Sequence, residues 1–218
     1  MKPRLRSFLL FVLDVVVNSL VIIILVVLIR TFIFSPFQIH GPSMCDTFNN
    51  FDGSCLRGNG EYIMIYKFGY LNILGWEIGA PERGDVVVFQ EPEGNDYYIK
   101  RIIGIPGDTV EIIDGYVYLN DEKLDESEYL NEVNWGYTDP SSPENSFFEV
   151  PEGGYFVLGD NRKASSDSRR CFSATGCIGA GSTAYVTLDE IAGRAWFVMW
   201  PLDRIRVVER AEIITTDL

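Results

Sequence analysis

The 218-residue chain is 47% hydrophobic and carries a formal net charge of −13, a length suited to one membrane anchor and one ordinary domain. After residue 36 the balance is more acidic still, with 14 basic residues against 30 acidic ones. Phosphate backbones are held by clustered Lys and Arg, so this composition excludes nucleic acid as a partner.

The first element is "FLLFVLDVVVNSLVIIILVVLI", residues 8–29. As a helix rising about 1.5 Å per residue it spans roughly 33 Å, enough to cross a bilayer core. It is too long for the apolar core of a cleaved signal peptide, and it ends in "RTFIFSPF" without a small-residue cleavage site. A buried core helix is the weaker alternative, because helices apolar all round are rare in small domains. Lys2, Arg4 and Arg6 precede it, which by the positive-inside rule places the N-terminus in the cytoplasm. Residues 1–36 therefore read as a cytoplasmic N-terminus and signal anchor in the plasma membrane, and residues 37–218 as an extracytoplasmic domain. Asp14 and Asn18, four apart, share one face of the helix; hydration of Asp14 near the cytoplasmic interface accounts for it.

Short β-branched and aromatic runs follow, separated by Gly, Pro, Asn and Asp: "EYIMIYKF", "GDVVVFQ", "YYIKRIIGI", "TVEIID", "YVYLN", "GYFVLGDN", "GRAWFVMWP" and "RIRVVE". These are strand signals, with no amphipathic helix among them. Asp114-Gly115 predicts a hairpin turn. Residues 122–149, rich in Ser, Pro, Asn and acids, read as an insertion or long loop, and residues 163–184 as a second loop. The fold class is mainly β, an irregular antiparallel sheet or barrel. Outside a membrane the four cysteines lie in a disulfide-permissive compartment. Spacing favours Cys45 with Cys55 and Cys171 with Cys177, although four cysteines allow three connectivities and buried thiols remain an alternative. With one histidine and no C-x-x-C there is no typical zinc cluster.

The available nucleophile is Ser43, in "IHGPSMCDTF" just beyond the anchor. A serine hydroxyl needs a base. His40, the only histidine, lies three residues upstream, and residues three apart on an extended segment point to opposite faces. A lysine serves instead if burial makes it neutral, which for a shift of ~3 units costs about 4 kcal/mol. Lys100, in "DYYIKRIIGIPGD", is the candidate; Tyr98, Lys100 and Ile102 alternate with Ile99, Arg101 and Ile103 across the strand. "GIPGD" itself is a turn without the full pattern of a phosphate loop. The third constellation, "GDNRKASSDSR" at residues 159–169, packs small hydroxyls and charges after a strand. Ser165 could hydrogen-bond a neutral amine, and Asp160, Asp167 and Arg169 could brace the loop by ion pairing.

These three stretches, in this order behind an anchor, resemble the bacterial type I signal peptidases, membrane-anchored serine proteases with a Ser/Lys dyad. The resemblance runs over residues 8–208 and includes "RGDVVVF", "DGYVYLNDEKLDESEYL" and "GRAWFVMWPLDRIRVV". It implies Ser43 as nucleophile, Lys100 as general base and Ser165 as the hydroxyl that orients the lysine, with Arg101, Asp160, Asp167 and Arg169 supporting the site. It implies a substrate held extended between residues 37–41 and 96–99, touching Phe37, Ile39, Tyr98 and Ile99, with Met44 and Ile99 walling a pocket for small side chains of an Ala-X-Ala site. The partners implied are exported preproteins, the lipid bilayer and the protein-export translocon; no metal or organic cofactor is implied. The rival is a catalytically silent, membrane-tethered peptide-binding protein of the same fold.

Two positions depart from the family's usual pattern. Asp46 stands where proline is usual, and a carboxylate near the nucleophile could alter the loop or raise the lysine's pKa by favouring its charged form. Two residues before Ser43, where many members carry a hydroxyl, stands Gly41, and Pro42 has no N–H. The oxyanion is expected to rest on the Ser43 N–H and a backbone donor near Gly41.

Overall fold

The computed structural model of the protein describes residues 3–67, 71–73, 76–92, 95–140, 142, 146–173, 176–177 and 183–216. Phe68, the last residue of the first strand signal, and parts of the two expected loops lie outside the described residues. The apolar run forms α1 (Pro3–Phe32). Every described side chain from residue 6 to residue 32 is exposed, so the helix is not part of a protein core. Its apolar surface needs a non-aqueous surrounding.

The remaining elements are strands and short 3₁₀ turns. In chain order the strands are β1 (Phe34–His40), β2 (Asn50–Phe51), β3 (Ser54–Cys55), β4 (Asn59–Tyr66), β5 (Leu71–Ile73), β6 (Trp76–Ile78), β7 (Val86–Gln90), β8 (Tyr97–Gly104) and β9 (Thr109–Ile113). They continue with β10 (Tyr116–Leu119), β11 (Glu122–Asp125), β12 (Phe147–Glu149), β13 (Gly154–Leu158), β14 (Val186–Thr187), β15 (Ile191–Trp200), β16 (Arg206–Val207) and β17 (Ile214–Thr216). The main sheet runs β1-β4-β15-β7-β8-β13-β14, with β16 also on β15. A second sheet runs β12-β9-β10-β11-β17, and β2-β3 and β5-β6 are separate hairpins. All the pairings are antiparallel.

Local chemistry explains the main features. Asp114 and Gly115 both have positive φ, 51° and 81°, as a primed hairpin turn between β9 and β10 requires. The run Val86–Phe89 is apolar without interruption because both faces of β7 are covered. Val86 and Val88 join a core with Ile39, Met44, Phe48, Ile63 and Ile99, while Val87 and Phe89 pack with Ile102, Tyr155 and Phe172 on the other face. A third cluster fills the second sheet around Val110, Val117 and Phe156. The segment read as a long loop begins and ends in strands, β11 and β12, with a 3₁₀ turn at Glu132–Asn134 between them.

Two strand edges are positioned by this topology. β1 ends the main sheet, so among the described residues only one of its edges is paired, with β4. β8 pairs with β7 from Tyr97 to Arg101, but β13 joins its other edge only from Arg101 onward. Between β1 and the first half of β8 lies a groove of about 570 Å³ whose lining includes Phe37, Ile39, Ser43, Ile99 and Lys100.

Candidate active site

At the end of β1 the chain reverses through Gly41, whose φ of 78° suits glycine. Pro42 then leads into a tight turn in which Cys45 N–H donates to Pro42 O (3.1 Å) and Thr47 N–H to Met44 O (2.9 Å). Met44 and Phe48 anchor the turn in the core, leaving Ser43 half-buried at the groove. The "GDN" stretch clamps the turn from the far side. Asn161 donates from its backbone N–H to Ser43 O (3.0 Å) and from Nδ2 to Pro42 O (3.0 Å).

Lys100 projects from β8 and is only 3% exposed. Its Nζ lies 2.9 Å from Ser43 Oγ and 2.8 Å from Ile99 O. Burial lowers its pKa to about 8; the carboxylates of Asp167 and Asp160 pull it upward, and the charge of Arg169 pushes it down. The amine is therefore substantially neutral in mildly alkaline solution.

The next residue, Arg101, is buried as well. A guanidinium cannot shed its charge, so it is paired. Its Nε and Nη2 reach the two oxygens of Asp160 at 3.0 and 2.7 Å, Nη2 also meets Thr47 Oγ1 at 3.1 Å, and Nη1 donates to Gly84 O. Thr47 in turn donates to Asp160. Arg169 forks onto Asp167 at 2.8 and 2.9 Å. Burial works to raise the Asp167 carboxyl's pKa, but Arg169 and the Gly159 N–H (3.0 Å) outweigh it and hold the group below its usual range. Gly159 touches both halves of the site: a Cβ there would lie 2.2 Å from Ser165 Oγ and 2.6 Å from Ser43 O.

A serine hydroxyl thus lies in hydrogen-bond contact with a buried lysine, flanked by two buried ion pairs, a geometry in which a neutral amine is able to accept a hydroxyl proton. The sequence profile of the family described as "Signal peptidase, peptidase S26" matches residues 12–200. The chain belongs to this signal peptidase family. It is 34% identical to signal peptidase I of Bacillus licheniformis over 86% of this chain and 88% of that one. It is 35% identical to signal peptidase I S of Bacillus subtilis over 84% and 86%. It is 32% identical to signal peptidase IB of Staphylococcus aureus over 89% and 93%. A solved signal peptidase I from Enterococcus faecalis is 31% identical, covering 53% of this chain and 96% of its own, with a TM-score of 0.38. As a member of the signal peptidases the chain is a peptidase hydrolase.

Around the Ser43–Lys100 contact most of the residues singled out from sequence come together, with some differences. The Asp46 Oδ2 accepts from Asn131 N–H (2.7 Å) and Asn134 Nδ2 (2.8 Å), so this carboxylate ties the Ser43 turn to the 131–134 segment. No hydrogen bond joins Ser165 to Lys100 among the described residues; the buried Ser165 hydroxyl faces the Asp167 carboxylate and helps to hold that group's pKa down. The Gly41 N–H donates to Gly58 O (3.4 Å), which gives it a partner within the chain. Tyr98 borders the groove, but its ring packs edge-on against Phe89 and its hydroxyl donates to Glu91 (3.1 Å). His40 is exposed and makes no hydrogen bond to Ser43 among the described residues.

Sequence reasoning missed Thr47, Gly159, Asn161 and Arg162. Arg162 is buried, holds Gly159 O through Nε (3.1 Å), and forks onto Glu126 at 2.5 and 3.0 Å with Thr138 at 2.8 Å. Residues 126–138 are thus fastened to the 159–162 loop. The signal lay in "GDNR" as a unit, since an arginine beside a buried aspartate needs its own acceptors.

Both disulfides form as spacing suggested, Cys45–Cys55 and Cys171–Cys177. Cys45–Cys55 ties a residue two past Ser43 to the β2-β3 hairpin, and closing such a short loop is worth about 2–3 kcal/mol. A dithiol reductant is expected to slow preprotein cleavage several-fold, and Cys45→Ser/Cys55→Ser to be equally slow with or without it. Undiminished cleavage by the fully reduced protein, its thiols counted by mass, would show that the turn holds without its staple.

Proposed function

We propose that this chain is a membrane-bound endopeptidase that removes signal peptides from exported preproteins, cutting after an Ala-X-Ala-like site. The observation carrying the mechanism is the 2.9 Å contact between Ser43 Oγ and the buried, easily neutralised Lys100 Nζ. Neutral Lys100 takes the Ser43 proton as Oγ attacks the scissile carbonyl. The lysine then passes that proton to the departing amine, leaving an ester on Ser43. Water, deprotonated by the same lysine, hydrolyses the ester and regenerates the serine. The Ser43 N–H, which has no partner among the described residues, is positioned on the same residue as the developing oxyanion's attacking atom, and donors of this kind contribute about 100- to 1,000-fold in rate.

The groove supports binding of an extended chain, because the unpaired edges of β1 and of residues 97–100 offer main-chain hydrogen bonds on both sides. Ile39, Ile63, Val88 and Ile99 line its floor, and Met44 lies in the same apolar cluster, so the side chains next to the cut must be small and apolar. The chain divides into an anchor, residues 1–36, and a peptidase domain, 37–218. With Lys2, Arg4 and Arg6 on the cytoplasmic side, the groove lies just outside the membrane, where a preprotein leaves the export translocon. Trp196, Trp200, Leu202, Ile205 and Val207 are exposed on strands and turns continuous with β1 through β4 and β15, a surface suited to resting on lipid.

The test uses purified full-length protein in detergent with a preprotein bearing an Ala-X-Ala site. Cutting after the second alanine, identified by the new N-terminus, and its disappearance in Ser43→Ala is the expected result. An uncut preprotein across pH and lipid conditions would replace the protease by a peptide-binding scaffold.

A further inference from the structure

Behind the nucleophile turn lies a second polar cluster, built on Asn49, Glu61 and Arg206, that the chemistry of Ser43 and Lys100 does not use. Asn49 is 1% exposed and Glu61 0%, so each polar atom there must find a partner. The Asn49 N–H donates to Glu61 Oε2 (2.9 Å), and the Glu61 N–H donates back to Asn49 Oδ1 (2.8 Å). Arg206 closes the cluster from β16, meeting both Glu61 oxygens at 2.6 and 3.0 Å and Thr47 O at 2.8 Å. What remains is the Asn49 Nδ2, and it donates to Gly41 O (3.2 Å) and Ile39 O (3.4 Å).

Those two carbonyls belong to the end of β1 and to the residue where the chain turns towards Ser43. β1 has a register irregularity at this place, between Gln38 and His40, before its last pair with Asn59, so the amide grips the strand where the regular ladder is interrupted. Gly60 is kept clear for the amide, since a Cβ there would lie 1.8 Å from Asn49 Oδ1. Asn49 itself has a φ of 58°, a conformation that asparagine tolerates better than most residues.

We infer that Asn49 is a positioning residue for the peptidase reaction: its side-chain amide holds the end of the peptide-binding strand and Gly41, and so sets where Ser43 stands relative to bound substrate. Glu61 and Arg206 hold the amide in register. The inference rests on the reading of Ser43 as nucleophile and β1 as one wall of the slot.

Asn49→Gly is the test, because glycine keeps the positive φ without strain and removes only the amide. Asn49→Asp is the second variant, retaining the volume while taking away both donors. For the full-length protein in detergent, kcat/KM on an Ala-X-Ala preprotein is expected to fall about 10- to 100-fold in both, as small misplacements of reacting groups do. The acid limb of the pH profile stays where it is in the parent, because Lys100 keeps its surroundings, and circular dichroism stays native. Activity within threefold of the parent in either folded variant, or a displaced acid limb, would overturn the inference while leaving the Ser43 mechanism intact. A parent that cuts nothing would instead remove the mechanism on which the inference rests.

Discussion

Lys100→Met gives a chain that folds, unfolds at a higher temperature than the parent at pH 7, and has lost about 100- to 10,000-fold of its cleavage rate. The activity loss follows from the proposed role of Lys100 as the base. The stability gain follows from linkage. The lysine's pKa is about 8 in the folded protein against an ordinary 10.5, so between those values the unfolded chain binds more protons and stability rises with pH. Below pH 8 the amine is protonated in both states and the whole penalty stands, at most about 3 kcal/mol for this shift. Methionine, unbranched and apolar, fills the same channel without a charge. The advantage of the variant should therefore be largest at pH 7 and shrink as the pH passes 10, which denaturant unfolding at several pH values measures. A less stable Lys100→Met at pH 7 would mean that the lysine is comfortably charged where it lies.

Gly159→Ala is expected to lower kcat/KM at least about 100-fold and stability by about 1–3 kcal/mol. A methyl group there would lie 2.2 Å from Ser165 Oγ, 2.5 Å from Ser165 Cβ and 2.6 Å from Ser43 O. Rotating the Ser165 hydroxyl relieves only the first of these. The other two can be relieved only by moving the serine-bearing loop or the nucleophile turn, and Asn161 binds that same turn through the Ser43 and Pro42 carbonyls. Gly58→Ala is the control, since a Cβ at Gly58 meets nothing within 4 Å, and an effect within about 0.5 kcal/mol is expected. Normal cleavage by Gly159→Ala would show that the two halves of the site are less tightly joined than their contacts indicate.

The apolar helix, the strands and the pair Ser43 and Lys100 that the fold brings together were legible because each is a local pattern. An unbroken apolar run specifies a spanning helix, alternating β-branched residues specify strands, and a lysine inside an aromatic strand is a charge whose burial needs a reason. The supporting residues were not legible in the same way, because their partners lie far away in sequence. Asn161 meets Pro42, Arg162 meets Glu126, and Arg206 meets Glu61, pairings that no window along the chain reveals. Asp46 illustrates the limit. Its nearness to Ser43 in sequence suggested an effect on the loop or on the lysine but not its partners, Asn131 and Asn134, which lie far along the chain. The local spacing of cysteines, by contrast, favoured the two pairs that form, Cys45–Cys55 and Cys171–Cys177, without deciding between them and the other connectivities.

The most direct test of the Ser43–Lys100 mechanism is the pH dependence of kcat/KM for the full-length parent on an Ala-X-Ala preprotein, beside His40→Ala. The mechanism predicts activity rising with pH through a single group titrating at about 8, the same limb in His40→Ala. A limb near pH 6.5, the ordinary value for histidine, that vanishes in His40→Ala would contradict it and assign the proton transfer to His40.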